Sequence, residues 1–409
     1  MAKDLWVENS AKFIGGVMLN TYFVGIDIAK FKHDCFIADD SGCVIRDSFS
    51  FQNNLNGFNT ILSILNDLKS LGNIKIGFES TGHYHNNLKL FLEKNGFTFM
   101  ELNPLLVHKF VAAQTLRRTK TDKKDAQMIS LYLMTIEYKP YVNSFYHIYG
   151  LKSLCRQRES FITQRTRISN DITALLDQLF PEFKPFFEHK LSKTALYLLN
   201  NYLTPSHISK LNIESYNNMK SALKRTISYI QFQHLREIAK KTIGISNELL
   251  EFQLKELLIQ YNSIDSQIES IEEIIVKYYR TLDCHIHTIK GVSEISAASI
   301  VSEIGDISKF NNPNQLLAYA GLEPGRFQSG TIDNNGKMVK HGSSQLRMVV
   351  YRCSETLYVH NPVISEYYWK KRSEGKHHNV ALSHVARKLI NIIFKLETCK
   401  IDFDINLLK

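Results

Sequence analysis

The chain has 409 residues, 44% of them hydrophobic, which allows two or three domains with ordinary cores and excludes a disordered chain. Its 50 Lys and Arg against 40 Asp and Glu give a net charge of +10, which favours a polyanionic partner such as nucleic acid or an anionic membrane surface. No run of about 18 apolar residues is present, so we expect no membrane-spanning segment. Six scattered cysteines without a Cys-x-x-Cys pair favour reduced thiols in a cytoplasm.

The chain begins with a segment that carries no regular pattern. Residues 1–20 contain a short apolar piece, FIGGVML, and are predicted to be a disordered leader. From Tyr22 three strand-like runs follow, with DDSG as the turn between the second and the third. This order predicts a three-stranded antiparallel meander.

Helices and strands alternate after the meander. An amphipathic helix is predicted at about 55–69, then the strand IKIGFES, a helix at about 85–95, the strand FTFMEL, and helical segments to about residue 137. Three antiparallel strands followed by alternating helix and strand predict a mixed sheet with helices packed on it, in a domain at 21–148.

Residues 149–282 lose the strand pattern and show long helical periodicity. The later part repeats apolar residues in steps of four and three, as in a coiled-coil seam. These residues are Leu250, Leu254, Leu257, Tyr261, Ile264, Ile268, Ile271, Ile275, Tyr278 and Leu282. An earlier helix has a similar ladder, at Leu151, Leu154, Phe161, Ile168, Ile172, Leu175 and Leu179, with Arg158 and Arg165 in two further positions. A helical hairpin within one chain and a dimerisation arm fit this pattern equally well; the segment 186–240 is predicted to be helical, without an assigned place.

The last domain, at 283–409, is richer in glycine and small residues and is predicted to be mostly helical. The segment IKGVSEISAASIVSEIG combines an apolar residue, a glycine turn and a helix start, where backbone N–H groups can bind phosphate. As a helix-hairpin-helix it is imperfect, because Ser293 stands where the second glycine is usual. The nearby CHIH at 284–287 lacks a second ligand pair at zinc spacing, so structural zinc is not expected.

Four acidic residues are candidate metal ligands. Asp122 and Asp125 are three residues apart at a helix start, so they share one face, although pairing with the surrounding Lys and Arg would also explain them. Asp27 interrupts the apolar strand VGIDIAK, where an unpaired charge is costly, and Glu79 ends the strand IKIGFES. Carboxylate oxygens are the ligands that Mg²⁺ prefers, so the set predicts a site for Mg²⁺ or Mn²⁺ that supports phosphoryl transfer.

The motifs GIDIAK, GFESTG and KTDKKDA, in this order, resemble the Asp-Glu-Asp-Asp set of a RuvC-like transposase domain. The later AYAGLEPGRFQSG and KHGSSQLR resemble the second domain of the same family, the DEDD insertion-sequence transposases of the IS110 family with its IS1111 subgroup, related to pilin-gene invertases. The resemblance covers nearly the whole chain from residue 22. It implies a fold of class α/β plus α: an N-terminal RuvC-like domain of ribonuclease H fold, a helical coiled-coil middle and a mostly helical C-terminal transposase domain.

The resemblance also assigns site residues. It implies that Asp27, Glu79, Asp122 and Asp125 bind metal and that Ser329, in FQSGTIDNNG, is the nucleophile on DNA phosphate. From turn composition alone a serine before a glycine is usually a turn residue in a loop. Ser343 and Ser344 are rival serines, interpreted as helix-cap or phosphate-contact residues. The segment GSSQLR departs from the family's usual Asn after Gly342, which weakens any role carried over to Ser343.

Cations concentrate in windows that suit nucleic acid. The predicted contacts are Arg117, Arg118, Lys120, Lys123, Lys124, Arg326, Lys337, Lys340 and Arg347. Further basic windows contain Lys152, Arg156, Arg158, Arg165, Arg167 and Arg352, and then Lys370, Lys371, Arg372 and Lys376, where Tyr367, Tyr368 and Trp369 could stack on bases. Each window could also be a solvated face.

The leading hypothesis is a DNA transposase or recombinase that cuts and rejoins strands through a phosphoserine intermediate. Metal activation of Ser329 would make the two end domains one composite site, within a chain or across protomers. The resemblance implies donor and target DNA and an element-encoded structured guide RNA. The leading hypothesis also includes a homodimer formed through the coiled-coil arm, a tetramer in the synaptic complex, and a bacterial cytoplasmic location without membrane contact. The alternatives are a Mg²⁺-dependent junction-resolving nuclease that uses water, and a nucleic-acid-binding scaffold without chemistry.

Overall fold

A computed structural model of the chain describes residues 20–79, 82–114, 122–140, 145–188, 191–329 and 332–405. For a few residues in helices and strands, Asp122 and Ser329 among them, it describes the backbone alone. The chain divides into two compact units, Met1–Tyr146 and His147–Lys409. The predicted leader lies outside the described residues, and the domain bounds at 148 and 282 stay predictions.

The first unit is built on a five-stranded mixed sheet. Its strands are β1 (Asn20–Ile28), β2 (Lys32–Asp39), β3 (Val44–Gln52), β4 (Gly72–Glu79) and β5 (Phe99–Leu102). Their order across the sheet is β3-β2-β1-β4-β5. The pairs β1–β2 and β2–β3 are antiparallel, whereas β1–β4 and β4–β5 are parallel, so the predicted meander and mixed sheet are confirmed.

Helices cover both faces of this sheet. They are α1 (Leu55–Leu71), α2 (Asn86–Lys94), α3 (Pro104–Gln114) and α4 (Asp122–Thr135). Side chains alternate along β1. Val24 and Ile26 pack with residues of α1 and α2, while Phe23 packs with Ile129 and Leu133 of α4. The strand is buried on both sides, as its nearly continuous apolar sequence requires.

The second unit is mostly helical, as predicted. Its helices are α5 (Phe145–Leu179), α6 (Phe183–Phe186), α7 (Lys193–Tyr202), α8 (Pro205–Ser209), α9 (Ile213–Ala222), α10 (Tyr229–Lys240), α11 (Glu248–Tyr279), α12 (Glu294–Ile304), α13 (Pro313–Tyr319), α14 (Ser344–His360), α15 (Pro362–Ser373) and α16 (His378–Cys399). Two strands, β6 (Pro324–Ser329) and β7 (Ile332–Met338), form an antiparallel pair. Two short 3₁₀ turns, at 286–288 and 307–309, connect the helices.

The two longest helices, α5 and α11, pair antiparallel within the chain. Arg158 forms an ion pair with Glu272 at 2.6 Å, and Arg165, seven residues later, pairs with Asp265, seven residues earlier. Both arginines fill positions of the predicted apolar ladder. The contacts therefore match the hairpin interpretation of the seam, while its supercoiling and any role in dimerisation stay predictions. We call the stretch between the two ion pairs, 158–165 with 265–272, the neck.

Separate apolar clusters lie on either side of the neck. At one end, Ile172 and Leu176 of α5 pack with Leu254 and Leu258 of α11 and with the short helices α7 to α10. At the other end, Leu151 and Cys155 of α5 and Ile275 and Tyr279 of α11 pack with α12, α14 and α16. We call residues 191–244 the helical lobe.

All six cysteines are free thiols, and they divide by exposure. Cys43 in the first unit and Cys399 in the second are exposed, whereas Cys35, Cys155, Cys284 and Cys353 are buried. Burial raises the pKa of Cys284 to about 12 and that of Cys353 to about 11, so these thiols stay protonated at neutral pH. Among the described helices, none combines the length and low polarity needed to cross a bilayer.

Candidate carboxylate site and nucleic-acid surfaces

Asp27 and Glu79 lie at the carboxyl ends of neighbouring parallel strands. Ile26 of β1 is in register with Phe78 of β4, so the next residues, Asp27 and Glu79, lie at the same level of the sheet. Both side chains are partly buried. Ligand sites of open α/β sheets form at this edge.

Two glycines show which face of the sheet these carboxylates share. A Cβ on Gly25 would lie 2.4 Å from the carbonyl oxygen of Ala126 in α4, and one on Gly77 would lie 2.2 Å from a methyl carbon of Leu133 in the same helix. Residues two apart in a strand point to the same face. Asp27 and Glu79, each two residues after one of these glycines, therefore project on the face that α4 covers.

The direction of α4 brings its first turn to the same edge. The Ser130 hydroxyl donates a hydrogen bond to the carbonyl of Phe23 at 3.0 Å, while Ala126 lies beside Gly25. The helix therefore runs opposite to β1, and its residues before Ala126 lie toward Asp27. Asp125 is partly buried there, and Asp122 begins the helix with a side chain outside the description. The backbone thus directs all four predicted carboxylate positions to one edge of the sheet.

A fifth carboxylate, Asp34, was missed in the sequence. It pairs in register with Asp27 and is 1% exposed. Its neighbours in alternation, Phe36 and Ala38, pack with α4, so Asp34 faces the same side. The Ser50 hydroxyl donates a hydrogen bond to it, and Lys32 Nζ lies 3.5 Å away. Since opposed like charges destabilise a strand pair, these partners explain how Asp34 is tolerated.

The donor chemistry of this edge fits a hard cation, because carboxylate oxygens project from adjacent strands. Within the side chains that the structure describes, no group of three or more His, Cys, Asp or Glu lies close enough together to hold a metal ion. The side chain of Asp122 is not among them. The four-carboxylate ligand set therefore stays a prediction.

Ser329 is the last residue of β6, and it pairs with Ile332 across the strand pair. Its side chain and residues 330 and 331 lie outside the description. The prediction of a loop was wrong for the flanking residues, which form a regular antiparallel ladder. The sequence does not indicate this ladder, because Asn and Gly, which occur in β7, are depleted in strands. The ladder depends on strand pairing rather than on the propensity of single residues.

The rival serines have structural positions. Ser343 is the N-cap of α14, and its hydroxyl accepts a hydrogen bond from Leu346 N at 3.1 Å. The same hydroxyl donates to Glu303 Oε2 at 2.9 Å. Ser344 is an exposed first residue of the helix. The cap interpretation therefore holds for Ser343.

Glu303 is a buried carboxylate in α12 that the sequence did not reveal. Arg156 donates to both of its oxygens, at 2.6 and 3.1 Å, and Lys152 Nζ lies 3.3 Å away. Burial acts to raise the pKa of Glu303, but the Arg156 hydrogen bonds and the Lys152 charge outweigh it and lower the pKa below its ordinary value. Two cations that the sequence suggested for nucleic acid thus connect α5 to α12.

Several other cations that were predicted to contact nucleic acid also bind oxygen atoms of their own chain. Arg158 and Arg352 both donate to Glu159, and Arg347 donates to the carbonyl of Ala320 at 3.2 Å. Lys124 and Lys340 are exposed. Arg117, Arg118 and Lys120 lie outside the described residues, and Lys123, Arg326 and Lys337 are described by their backbone alone. The contacts of the whole set with nucleic acid stay a prediction.

The aromatic residues of α15 differ in exposure. Tyr368 is buried and bonds His378 Nδ1 at 2.6 Å, while Lys388 lies 4.9 Å from the ring centre of Tyr367. Trp369 is 59% exposed. Of the three aromatics that the sequence suggested for base stacking, Trp369 has the open surface that stacking requires.

Comparison with known families decides the identity. A DEDD transposase model of the IS110 group matches residues 24–181, which contain the four predicted carboxylates, and a model of the IS116/IS110/IS902 transposase family matches residues 284–369, which contain Ser329. The chain belongs to the IS110 transposase family. As a member, it is an enzyme of the DNA transposase and recombinase class.

Similar proteins span nearly the full length of this transposase. The IS116 element protein of Streptomyces clavuligerus is 23% identical, over 91% of this chain and 94% of its own length. The IS900 element protein of Mycobacterium paratuberculosis is 22% identical, over 93% of this chain and 96% of its own. A pilin gene-inverting protein of Moraxella bovis is also 22% identical, over 92% and 95%. The similarity therefore extends across both units.

Proposed function

We propose that this transposase cuts and rejoins DNA strands with a divalent cation at the carboxylate edge and Ser329 as the nucleophile. The observation that supports this most directly is the shared position of Asp27 and Glu79 on the face that α4 covers. The start of α4, with Asp122 and Asp125, is directed to the same edge. Such a concentration of carboxylates is unfavourable for binding a phosphate directly, and favourable for binding a cation.

Asp27, Glu79, Asp122 and Asp125 are the proposed ligands, and Mg²⁺ or Mn²⁺ the proposed ion. When bound, the ion would neutralise developing charge on the phosphate oxygens and polarise an attacking hydroxyl. The protein's part is to hold the oxygen ligands on two strands and one helix, which rigid packing of Gly25 and Gly77 against α4 fixes. These rigid elements favour a preorganised site.

The proposed reaction is a transesterification. A bond forms between Ser329 Oγ and the DNA phosphorus, one bridging phosphorus–oxygen bond breaks, and the leaving nucleotide oxygen takes up a proton. In the second step a hydroxyl of another strand end attacks the phosphoserine, and Ser329 recovers its proton. Each step replaces one phosphodiester-type bond with another, so bond energy is conserved and no ATP is needed.

We also propose an element-encoded structured guide RNA as a partner, in addition to donor and target DNA, in the cytoplasm of a bacterium. The net charge of +10 supports a nucleic-acid complex. We further propose a homodimer that forms through the coiled-coil arm, and a tetramer in the synaptic complex. Exposed apolar residues along α11 support association: Leu249 is 80%, Phe252 63% and Ile259 53% exposed.

Trapping of the covalent intermediate tests the proposed nucleophile. Denaturing electrophoresis of the transposase with labelled donor DNA, guide RNA and Mg²⁺ is expected to show a protein–DNA adduct, which Ser329→Ala abolishes. Ser344→Ala is the control, because Ser344 is an exposed serine of the same domain. Strand cleavage that persists in Ser329→Ala would instead favour the junction-resolving nuclease, in which water attacks the phosphate.

A further inference from the structure

The helical lobe carries much of the positive charge of the chain. Its position in the fold was not predicted from the sequence. Residues 191–244 contain eight Lys or Arg and two Glu, a net charge of +6 out of the +10 of the whole chain. One of the two glutamates, Glu237, pairs with Lys240. A segment with this balance attracts polyanions.

An open pocket in this lobe concentrates part of that charge. It encloses about 850 Å³ between the start of α7 and the segment 222–227 that joins α9 to α10. Lys193, Lys224 and Arg225 line it, together with the hydroxyl residues Thr194 and Thr226, and no acidic residue is part of its lining. The volume falls in the range of about 300–1,000 Å³ that is usual for ligand pockets.

The three cations of the pocket differ from those of α5. Arg156, Arg158 and Arg165 all bind carboxylates of their own chain. In the described part of the chain, no carboxylate lies within 4.0 Å of the Lys193, Lys224 or Arg225 charge, since the lobe has few acids to offer. These three are therefore free to bind an external anion.

A buried hydroxyl adds a hydrogen-bond donor that has no partner. Thr226 Oγ1 is buried, and no described group of the chain bonds to it. A buried hydroxyl without a partner is costly, so a ligand oxygen that accepts from it would be stabilising. Neighbouring groups are fixed: Ser192 caps α7 by accepting from Ala195 N at 3.2 Å, and Ser228 and Gln231 form a capping box at the start of α10.

We propose that this pocket binds the sugar–phosphate backbone of a nucleic acid that takes part in transposition. Three cations and a hydroxyl donor match phosphate oxygens, which accept hydrogen bonds and carry negative charge but present no sequence. The assignment rests on the proposed function for its class of ligand. DNA and guide RNA share this chemistry, and the experiment separates them.

The test compares two triple variants of equal charge. The pocket variant carries Lys193→Gln, Lys224→Gln and Arg225→Gln. The control variant carries Lys210→Gln, Lys220→Gln and Lys241→Gln, which are exposed residues of the same lobe outside the pocket lining. Binding of a mixed-sequence duplex DNA and of an RNA hairpin is measured by fluorescence anisotropy over a range of salt concentrations, with Ser329→Ala in every protein and EDTA present.

The pocket variant is expected to lose about 10-fold or more in affinity for at least one probe. Three lost phosphate contacts should reduce the slope of log affinity against log salt by about 2 to 3, and the control variant should change it less. The probe that shows the loss identifies the source of the phosphate. Equal losses of affinity in the two variants would mean that the effect comes from the general charge of the lobe, and would overturn the proposal. Unchanged binding in the pocket variant would overturn it as well.

Two features keep this test separate from the other proposals. Binding is measured without cleavage, so its outcome does not depend on Ser329 or on a metal ion. All six substituted residues are exposed, so thermal unfolding should be the same in both variants and in the parent protein. A pocket that fails this test leaves the adduct experiment unaffected, and a failed adduct experiment leaves the binding result standing.

Discussion

The carboxylate edge of the first unit and the helical lobe of the second carry opposite charges, and we propose that both meet the phosphate groups of nucleic acid. The edge has Asp27, Asp34 and Glu79 on one face of a sheet, whereas the lobe has a net charge of +6 and a pocket without acids. A phosphate is repelled by the first unless a cation intervenes, and attracted by the second directly. Strand cleavage should therefore depend on divalent cations at the edge, and binding through the lobe should depend on salt concentration.

Asp27→Asn should have the largest effect, because it removes one charge of the proposed ligand set and changes little in size. Strand cleavage and adduct formation in Mg²⁺ are expected to fall about 100-fold or more, while affinity for DNA in EDTA stays close to that of the parent. A gel assay of cleavage and anisotropy of binding measure the two quantities.

The control for this change is Asp67→Asn, an exposed residue on α1 of the same unit. It removes the same charge without touching the carboxylate edge. Full cleavage activity in Asp27→Asn would remove the edge from the chemistry. A loss of binding as large as that of the pocket variant would erase the contrast between the two regions.

Gly25→Ala should have the next largest effect, because a Cβ there would lie 2.4 Å from the backbone of α4 at Ala126 and Ser130. Backbone atoms cannot move aside as a flexible side chain can, so we expect a loss of about 1–3 kcal/mol in the free energy of unfolding of the first unit, and impaired cleavage. Calorimetry and the cleavage assay measure both.

Gly150→Ala in α5 is the matched control, since a Cβ there meets no atom within 4 Å. An alanine inside a helix is favoured over glycine by about 1 kcal/mol, so this variant should be as stable as the parent or more so. If Gly25→Ala were equally well tolerated, α4 could not be packed as closely on β1 as described.

The neck ion pair of Arg165 and Asp265 should give the smallest effect. Both side chains are partly exposed, at 33% and 40%, so each single reversal should cost about 0.5–1 kcal/mol and the double reversal, Arg165→Asp with Asp265→Arg, should recover most of it. Chemical denaturation of the four proteins measures the coupling, which added salt should weaken.

This cycle also separates a pair within the chain from one between chains. A coupling that is independent of protein concentration agrees with the hairpin of α5 and α11. If the coupling grew with protein concentration, these helices would instead exchange partners between two copies, and the lobe would be held by a second chain.

The sheet edge was largely predictable because strand alternation is a local signal. An apolar run interrupted by one Asp places Asp27 in β1, and Glu79 follows the last alternating residue of β4. Asp34 was missed because its importance comes from cross-strand register with Asp27, which the sequence shows only after the pairing is known. The sequence does not show that α4 covers both positions, because this depends on long-range packing of α4 against Gly25 and Gly77.

The helical unit was less predictable for the same reason. The seam period locates α11, but Tyr278, expected in the seam, is 51% exposed, whereas Tyr279 is 2% exposed. The Tyr279 hydroxyl forms hydrogen bonds with Cys284 and His287, which lie beyond the end of the helix. These contacts explain why Tyr279 is buried in place of Tyr278. Cations of α5 are paired with acids 100 or more positions away, as between Arg165 and Asp265, which local composition does not show.

The distribution of thiols gives the molecule two natural attachment points for dyes. Cys43 and Cys399 are exposed, one in each unit, while the buried cysteines have raised pKa values and react slowly with maleimides near neutral pH. A donor and an acceptor fluorophore can therefore be attached without introducing or removing any residue. Energy transfer between them would report the distance between residues 43 and 399 in single molecules as nucleic acid is bound, cut and released.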